Sequence, residues 1–224
     1  MIFLLFTVSL KAMTKNFNKP TQQEVDRINR LQQQRFNELF YKFEPPLPEN
    51  VPERLEKIVA NGQIEKDEVV LDVGSGTGIL IPIIRKYSPS RIYACDLSDK
   101  MLEQLNKNYP EVKTIRTDVK DLSLPALSVD VVFINACYPN IADKEGAFKN
   151  IGRILKPHGR MVISHPLGKA FIKRLKQNAS YPLDDFPDRP EAENLFQPLG
   201  FNIQKFIDEP QLYILVAVKE NRSI

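Results

Sequence analysis

The 224-residue chain carries 31 Lys+Arg against 28 Asp+Glu, a formal net charge of +3, with 42% hydrophobic and 26% charged residues. These proportions sit near the globular averages and exclude collagen-like, coiled-coil and wholly disordered chains; so small a positive excess, with no Lys/Arg cluster, gives no footprint for nucleic acid. At roughly 150 residues per domain the length fits one large α/β domain with an appendage, and the distant cysteines Cys95 and Cys137 make neither a disulfide framework nor a zinc site.

The chain opens with the apolar run MIFLLFTVSL before Lys11. It is too short for a membrane span of about 20 residues, and it lacks the basic start and small-residue cleavage site of a signal peptide. Residues 1–20 are expected to be a flexible tail, with Met13 as an alternative start, and a cytoplasmic location is expected from the cysteine usage. Residues 21–43 place Val25, Ile28, Leu31, Phe36, Leu39, Phe40 and Phe43 near helical spacing, and Thr21 with Glu24 reads as a capping box. The proline-rich EPPLPENVP is a loop, and ERLEKIVAN (53–61) a second helix stopped by Gly62. Residues 21–61 are thus expected to form a helical cap, and 62–224 the main domain.

From residue 68 the pattern becomes strand–helix alternation. EVVLDVG (68–74), RIYACDL (91–97), VKTIRTD (112–118), VDVVFINAC (129–137) and GRMVISHP (159–166) read as strands. Between them lie helical TGILIPIIRKY, SDKMLEQLNKN with Ser98 as its N-cap, and DKEGAFKNIGRIL (143–155). Continuous apolar strands separated by helices imply a parallel sheet covered on both faces. FNIQKFID and QLYILVAV, joined by the turn EP, form an antiparallel hairpin. The expected fold is therefore α/β: a doubly wound, Rossmann-like, mostly parallel seven-stranded sheet with an antiparallel C-terminal hairpin.

Open α/β sheets bind ligands beyond the carboxyl ends of their strands. Those ends carry Asp72 and Gly74, Asp96, Asp118, Asn135 with Tyr138, and His165. Acidic and amide groups converging there suit a ligand with hydroxyls, amines or positive charge. In the first turn, VLDVGSGTG, Gly74, Gly76 and Gly78 allow a tight bend and a close backbone approach. The dinucleotide fingerprint GxGxxG is not met, because position 79 is Ile, and no Lys-Ser/Thr follows to make a P-loop.

VLDVGSGTG resembles motif I, hh(D/E)hGxGxG, of the class I S-adenosylmethionine-dependent methyltransferases, and the resemblance runs over residues 68–166. The branch it most resembles is the small-molecule one, of the menaquinone and ubiquinone methylase type. RFNELFYKF (35–43) is similar to that branch's N-terminal segment, though Phe43 stands where Trp or Tyr is commoner. The resemblance implies S-adenosyl-L-methionine as cofactor, with S-adenosyl-L-homocysteine as product. Asp72, Gly74, Ser75, Gly76, Thr77 and Gly78 would then form the first cofactor turn. Asp96, 22 residues beyond Gly74 and followed by Leu97, would hold the ribose hydroxyls. Asp118 would meet the adenine amino group with Val119 flanking the ring, and Asn135 with Ala136 would lie beside the methionine part.

Methyl transfer from a sulfonium is an in-line displacement, for which a protein supplies alignment and exclusion of water. The expected acceptor is a small molecule with an O, N, S or C nucleophile. His165 is the candidate base, equally readable as a structural histidine beside Pro166, and Tyr138 is a candidate for orienting the acceptor. The insertion at 180–200 offers Tyr181, Phe186 and Phe196 as a roof or as surface packing. Three other readings stand: a nucleic-acid or protein methyltransferase, suggested by the N-x-x-Y spacing of Asn135 and Tyr138; a nicotinamide-dependent oxidoreductase; and a cofactor-binding protein with no transfer activity.

Overall fold

The computed structural model describes residues 20–221, so the expectations for the tail, Pro20 apart, lie outside the described residues. Its sheet is built from β1 (Val69–Val73), β2 (Arg91–Asp96), β3 (Lys113–Arg116), β4 (Val129–Asn135), β5 (Leu155–His165), β6 (Phe201–Glu209) and β7 (Leu212–Lys219). The spatial order is β3-β2-β1-β4-β5-β7-β6. Strands β1 to β5 run parallel, and β7 pairs antiparallel with both β5 and β6. The order reverses between β1 and β4, so the loops leaving those strands diverge to opposite sides and open a crevice.

The helices are α1 (Gln22–Leu39), α2 (Val51–Ala60), α3 (Ile81–Ile84), α4 (Asp99–Asn108), α5 (Lys144–Ile154), α6 (Gly168–Lys176) and α7 (Arg189–Phe196). Strand β4 shows why both sheet faces must be covered: Val131, Val132, Phe133 and Ile134 are all fully buried. Val132 and Ile134 join the core beneath α5, α6 and α7, with Phe148, Ile151, Ile172 and Phe196. Val131 and Phe133 join the opposite core beneath α2, α3 and α4, with Leu55, Ile58, Ile81, Ile84 and Leu105. Each such side chain contributes about 1.5–3 kcal/mol on leaving water. No helix among the described residues is long and apolar enough to cross a membrane.

Several boundaries differ from the sequence reading. The helix after β1 is one turn, Ile81–Ile84, followed by a 3-10 turn over Arg85–Tyr87. Pro82 supplies no N–H there, and the preceding turn keeps its glycine geometry as far as Gly78, whose φ is +90°. Strand β5 starts at Leu155 rather than Gly159, because Leu155 already pairs with Val129. Gly62 does not end α2 through a left-handed conformation: Asn61 caps the helix and the positive φ falls on Gln63, at 47°. Gly62 is instead required by packing, since a Cβ would lie 2.5 Å from Cζ of Phe133. The hairpin turn is Pro210–Gln211, with Glu209 paired to Leu212.

The N-terminal helix departs most from the periodicity argument. Thr21 and Glu24 do form the capping box. Yet the only buried residues of α1 are Val25 and Gln32, and the helix continues as a 3-10 turn over Phe40–Phe43. This apolar stripe does not pack on the sheet. Of its members, Phe36 and Phe43 line the crevice.

Candidate active site

Each strand on the crevice side contributes its carboxyl end. At the end of β1, Gly74 (φ +64°) donates its N–H to the Cys95 carbonyl at 2.8 Å. A side chain there would overlap Sγ of Cys137, so the tip of β1 is pinned between the ends of β2 and β4. Gly76 follows at φ +55°, and its N–H donates to Oδ2 of Asp96 at 3.0 Å. The other Asp96 oxygen, Oδ1, accepts from the Ser98 N–H at 2.9 Å. Two backbone donors from different loops thus fix the plane of this carboxylate at the end of β2.

Asp72, on β1, is 2% exposed. Burial, and secondarily the Asp96 carboxylate, push it from 3.8 up to about 8. Asp96 is itself raised, chiefly by burial, against the three backbone N–H groups of Ser98, Gly76 and Leu97 that lower it. Two carboxyls that resist ionisation in one crevice make a place where a positive charge is favoured. Beyond β3, Asp118 Oδ1 accepts from the Lys120 N–H at 3.1 Å, and Val119 is buried beside it. At the end of β4, Asn135 Oδ1 accepts from Ser164 Oγ at 3.1 Å. Ala136 holds φ +55°, with its N–H on the Ser164 carbonyl at 2.8 Å. Left-handed alanine is strained by about 1–2 kcal/mol, and such strain concentrates at functional sites.

The roof is α1. Asn29 donates to Asp118 Oδ2 at 2.7 Å, Gln32 to the Asn140 carbonyl at 2.8 Å, and Gln33 to Asp99 Oδ2 at 3.2 Å. Asn37 Oδ1 accepts from Ser98 Oγ at 2.6 Å, and the Phe43 carbonyl from Thr77 Oγ1 at 3.1 Å. The helix is therefore tied to the segments after β2, β3 and β4, largely by neutral amide side chains, and the 3-10 turn that continues it is tied to the loop after β1. Together they enclose a cleft with about 970 Å³ of empty space, part of it open to solvent. Asp72, Gly74, Ser75, Gly76, Thr77, Asp96, Leu97, Asp118, Val119, Asn135 and Ala136 all line it.

Three of the expected positions fall elsewhere. Gly78 turns away, and a Cβ on it would meet Leu105 Cγ of α4 at 3.0 Å. His165 does not line the cleft. It is 4% exposed, among Phe171 and Phe186 at ring separations of 5.2 and 5.9 Å. Burial lowers it to about 4, and its Nδ1 accepts from the Leu167 N–H at 3.0 Å. The neutral ring then carries its proton on Nε2, leaving no free nitrogen lone pair to act as a base. Tyr138 is likewise outside the cleft, stacked between Phe148 and Phe186 with its phenol pushed up by burial. Phe186 and Phe196 belong to the same core, so residues 180–200 supply none of the lining.

In their place come Asn29, Gln32, Phe36 and Phe43 from the N-terminal segment, with Asn140, Ile141 and Ala142 after β4. The sequence signal for Gln32 was weak. This residue lies four positions from both Ile28 and Phe36, on the apolar face, where a glutamine breaks the pattern, and the opposing Asn140 carbonyl satisfies its buried amide.

A doubly wound sheet of this order, with a glycine turn and strand-end carboxylates at the reversal point, defines a Rossmann-like methyltransferase fold. The comparisons place the chain within it. Residues 71–163 match the family model described as "Methyltransferase domain". The demethylmenaquinone methyltransferase of Staphylococcus carnosus is 30% identical over 178 residues, covering 65% of this chain and 72% of that protein. An uncharacterized methyltransferase of Schizosaccharomyces pombe is 29% identical over 166 residues, covering 71% of this chain; the chain spans 64% of that relative's length. A solved S-adenosylmethionine-dependent methyltransferase from Aquifex aeolicus superposes with a TM-score of 0.66 at 17% identity, over 81% of this chain and 97% of its own. The chain belongs to the methyltransferase-domain family.

Proposed function

We propose that the protein transfers a methyl group from S-adenosyl-L-methionine to a small-molecule acceptor, with the cleft beneath α1 as the active site. The observation that carries the cofactor reading is the Asp96 carboxylate, fixed by Gly76 N–H and Ser98 N–H at the lip of the glycine turn, where it can accept from a vicinal diol. Other features fit the same ligand. Asp72 is a buried carboxyl that a cation would allow to ionise, which suits the methionine ammonium. Ser75 Oγ and Asn140 Oδ1 are buried without a hydrogen-bond partner among the described residues. Asp118 and Val119 provide an acceptor and an apolar wall for the adenine, and Asn135 and Ala136 flank the methionine part.

The cofactor supplies an already activated methyl group, so the residues of this chain align, enclose and desolvate. Among the described residues, the ionisable side chains lining the cleft are Asp72, Cys95, Asp96, Asp118 and Cys137, with no histidine, lysine or tyrosine. Both thiols are pushed up by burial and by the neighbouring carboxylates. Such a site favours an acceptor that loses its proton readily or has none to lose. The quinone methyltransferase among the relatives supports a small-molecule acceptor.

Calorimetric titration of wild type and Asp96→Ala with S-adenosylmethionine and S-adenosylhomocysteine tests the reading. Losing hydrogen bonds to a charged group costs roughly 1.5–3 kcal/mol each, so micromolar binding should fall at least tenfold in the variant. Wild-type protein that binds neither ligand, tested beside NAD, refutes the proposal.

A further inference from the structure

The Asp118 end of the cleft contains a side chain from the N-terminal helix. Asn29 lines the cleft from α1, and its Nδ2 donates to Asp118 Oδ2 at 2.7 Å. A carboxylate accepts and does not donate, so this contact fixes the orientation of the amide: nitrogen toward Asp118, carbonyl oxygen free. The bond from Nδ2 to Asp118 is the one side-chain hydrogen bond of Asn29 found among the described residues. The second Asp118 oxygen is held by the Lys120 N–H, and each carboxylate oxygen can accept more than one hydrogen bond. Asn29 and Asp118 therefore present two kinds of acceptor, an amide oxygen and a carboxylate, side by side at one edge of the cleft, with Val119 beneath.

We propose that Asn29 is a specificity-determining residue for the cofactor base: its amide oxygen and the Asp118 carboxylate each take one hydrogen of an exocyclic amino group, selecting a 6-aminopurine over a 6-oxopurine. This rests on the cofactor reading above. A 6-oxo group offers a lone pair where the site already has two acceptors, and sites built to pair a donor reject analogues lacking it. It also gives the N-terminal helix a chemical role beyond covering the cleft, since the selecting oxygen arrives on α1.

The test is calorimetric titration of S-adenosylhomocysteine and its 6-oxo analogue, S-inosylhomocysteine, against wild type, Asn29→Ala and Gln33→Ala. Alanine is the better helix former, so α1 persists in both variants. Gln33 anchors α1 to Asp99 outside the cleft and reports on docking of the helix alone. Wild type is expected to prefer the 6-amino ligand. Asn29→Ala should weaken that ligand by about fivefold to tenfold, the value of one neutral hydrogen bond, and leave the analogue within about twofold, so the preference falls by the same factor. Gln33→Ala should move both ligands together. The proposal is overturned if wild type does not discriminate, or if Asn29→Ala weakens both ligands equally or neither. Wild type that fails to bind S-adenosylhomocysteine at all would bring down the cofactor reading itself, a separate result.

Discussion

Replacing Asp72 by asparagine keeps the shape of the side chain and removes its charge. In the folded protein this carboxyl titrates at about 8 instead of 3.8, mainly because it is buried and secondarily because Asp96 is near. The folded state therefore retains a proton that the unfolded chain releases above about pH 4. Stability contributed by that proton is complete below pH 4 and is lost as pH rises toward 8, after which the curve levels. At 1.36 kcal/mol per pH unit, the interval from 3.8 to about 8 bounds the loss at about 6 kcal/mol. Asparagine must be desolvated in the same place, which removes part of the gain and leaves about 2–3 kcal/mol in favour of the variant at pH 9. For a chain of this size that is a rise of about 5–10 °C in Tm. Thermal unfolding of both proteins at pH 5, 7 and 9 measures it: wild type should be the more stable by about 1–2 kcal/mol at pH 5, and the variant by about 2–3 kcal/mol at pH 9. A difference that does not shift toward the variant as pH rises would refute the reasoning. The same carboxyl predicts proton release from wild type, and not from Asp72→Asn, when S-adenosylhomocysteine binds at pH 7, read as a dependence of the binding heat on buffer ionisation enthalpy.

Two further outcomes follow from the geometry. Gly74→Ala forces a side chain onto Cys137 Sγ at a φ of +64°; it should cost about 2–4 kcal/mol in denaturant unfolding and abolish cofactor binding, and a variant with wild-type stability would contradict the close approach. His165 titrates at about 4 rather than 6.5, so its neutral form stabilises the fold above pH 6.5 and that contribution is lost as pH falls toward 4. His165→Asn, which keeps an acceptor for the Leu167 N–H, should flatten the acid limb of the stability curve and leave S-adenosylhomocysteine affinity unchanged; a loss of affinity would place the imidazole in the cleft after all.

What the sequence determined by itself was local or periodic. Alternating apolar strands and helices dictate a parallel sheet covered on both faces, and the hairpin dictates its antiparallel edge. VLDVGSGTG requires a turn of left-handed residues, and the acidic strand ends mark where a ligand sits. These are legible because each depends on residues a few positions apart. The tertiary structure decided whatever depends on partners distant in sequence. Asn29 meets Asp118 across 89 residues and Gln32 meets Asn140 across 108, which turns the face of α1 from a packing stripe into the roof of the cleft. His165 and Tyr138 stand at strand ends as active-site residues would, but residues 171–186 fold aromatic side chains against them and shut them in the core. A strand end fixes where a residue leaves the sheet; which face its side chain takes, and what covers it, is set by elements that the local pattern does not encode.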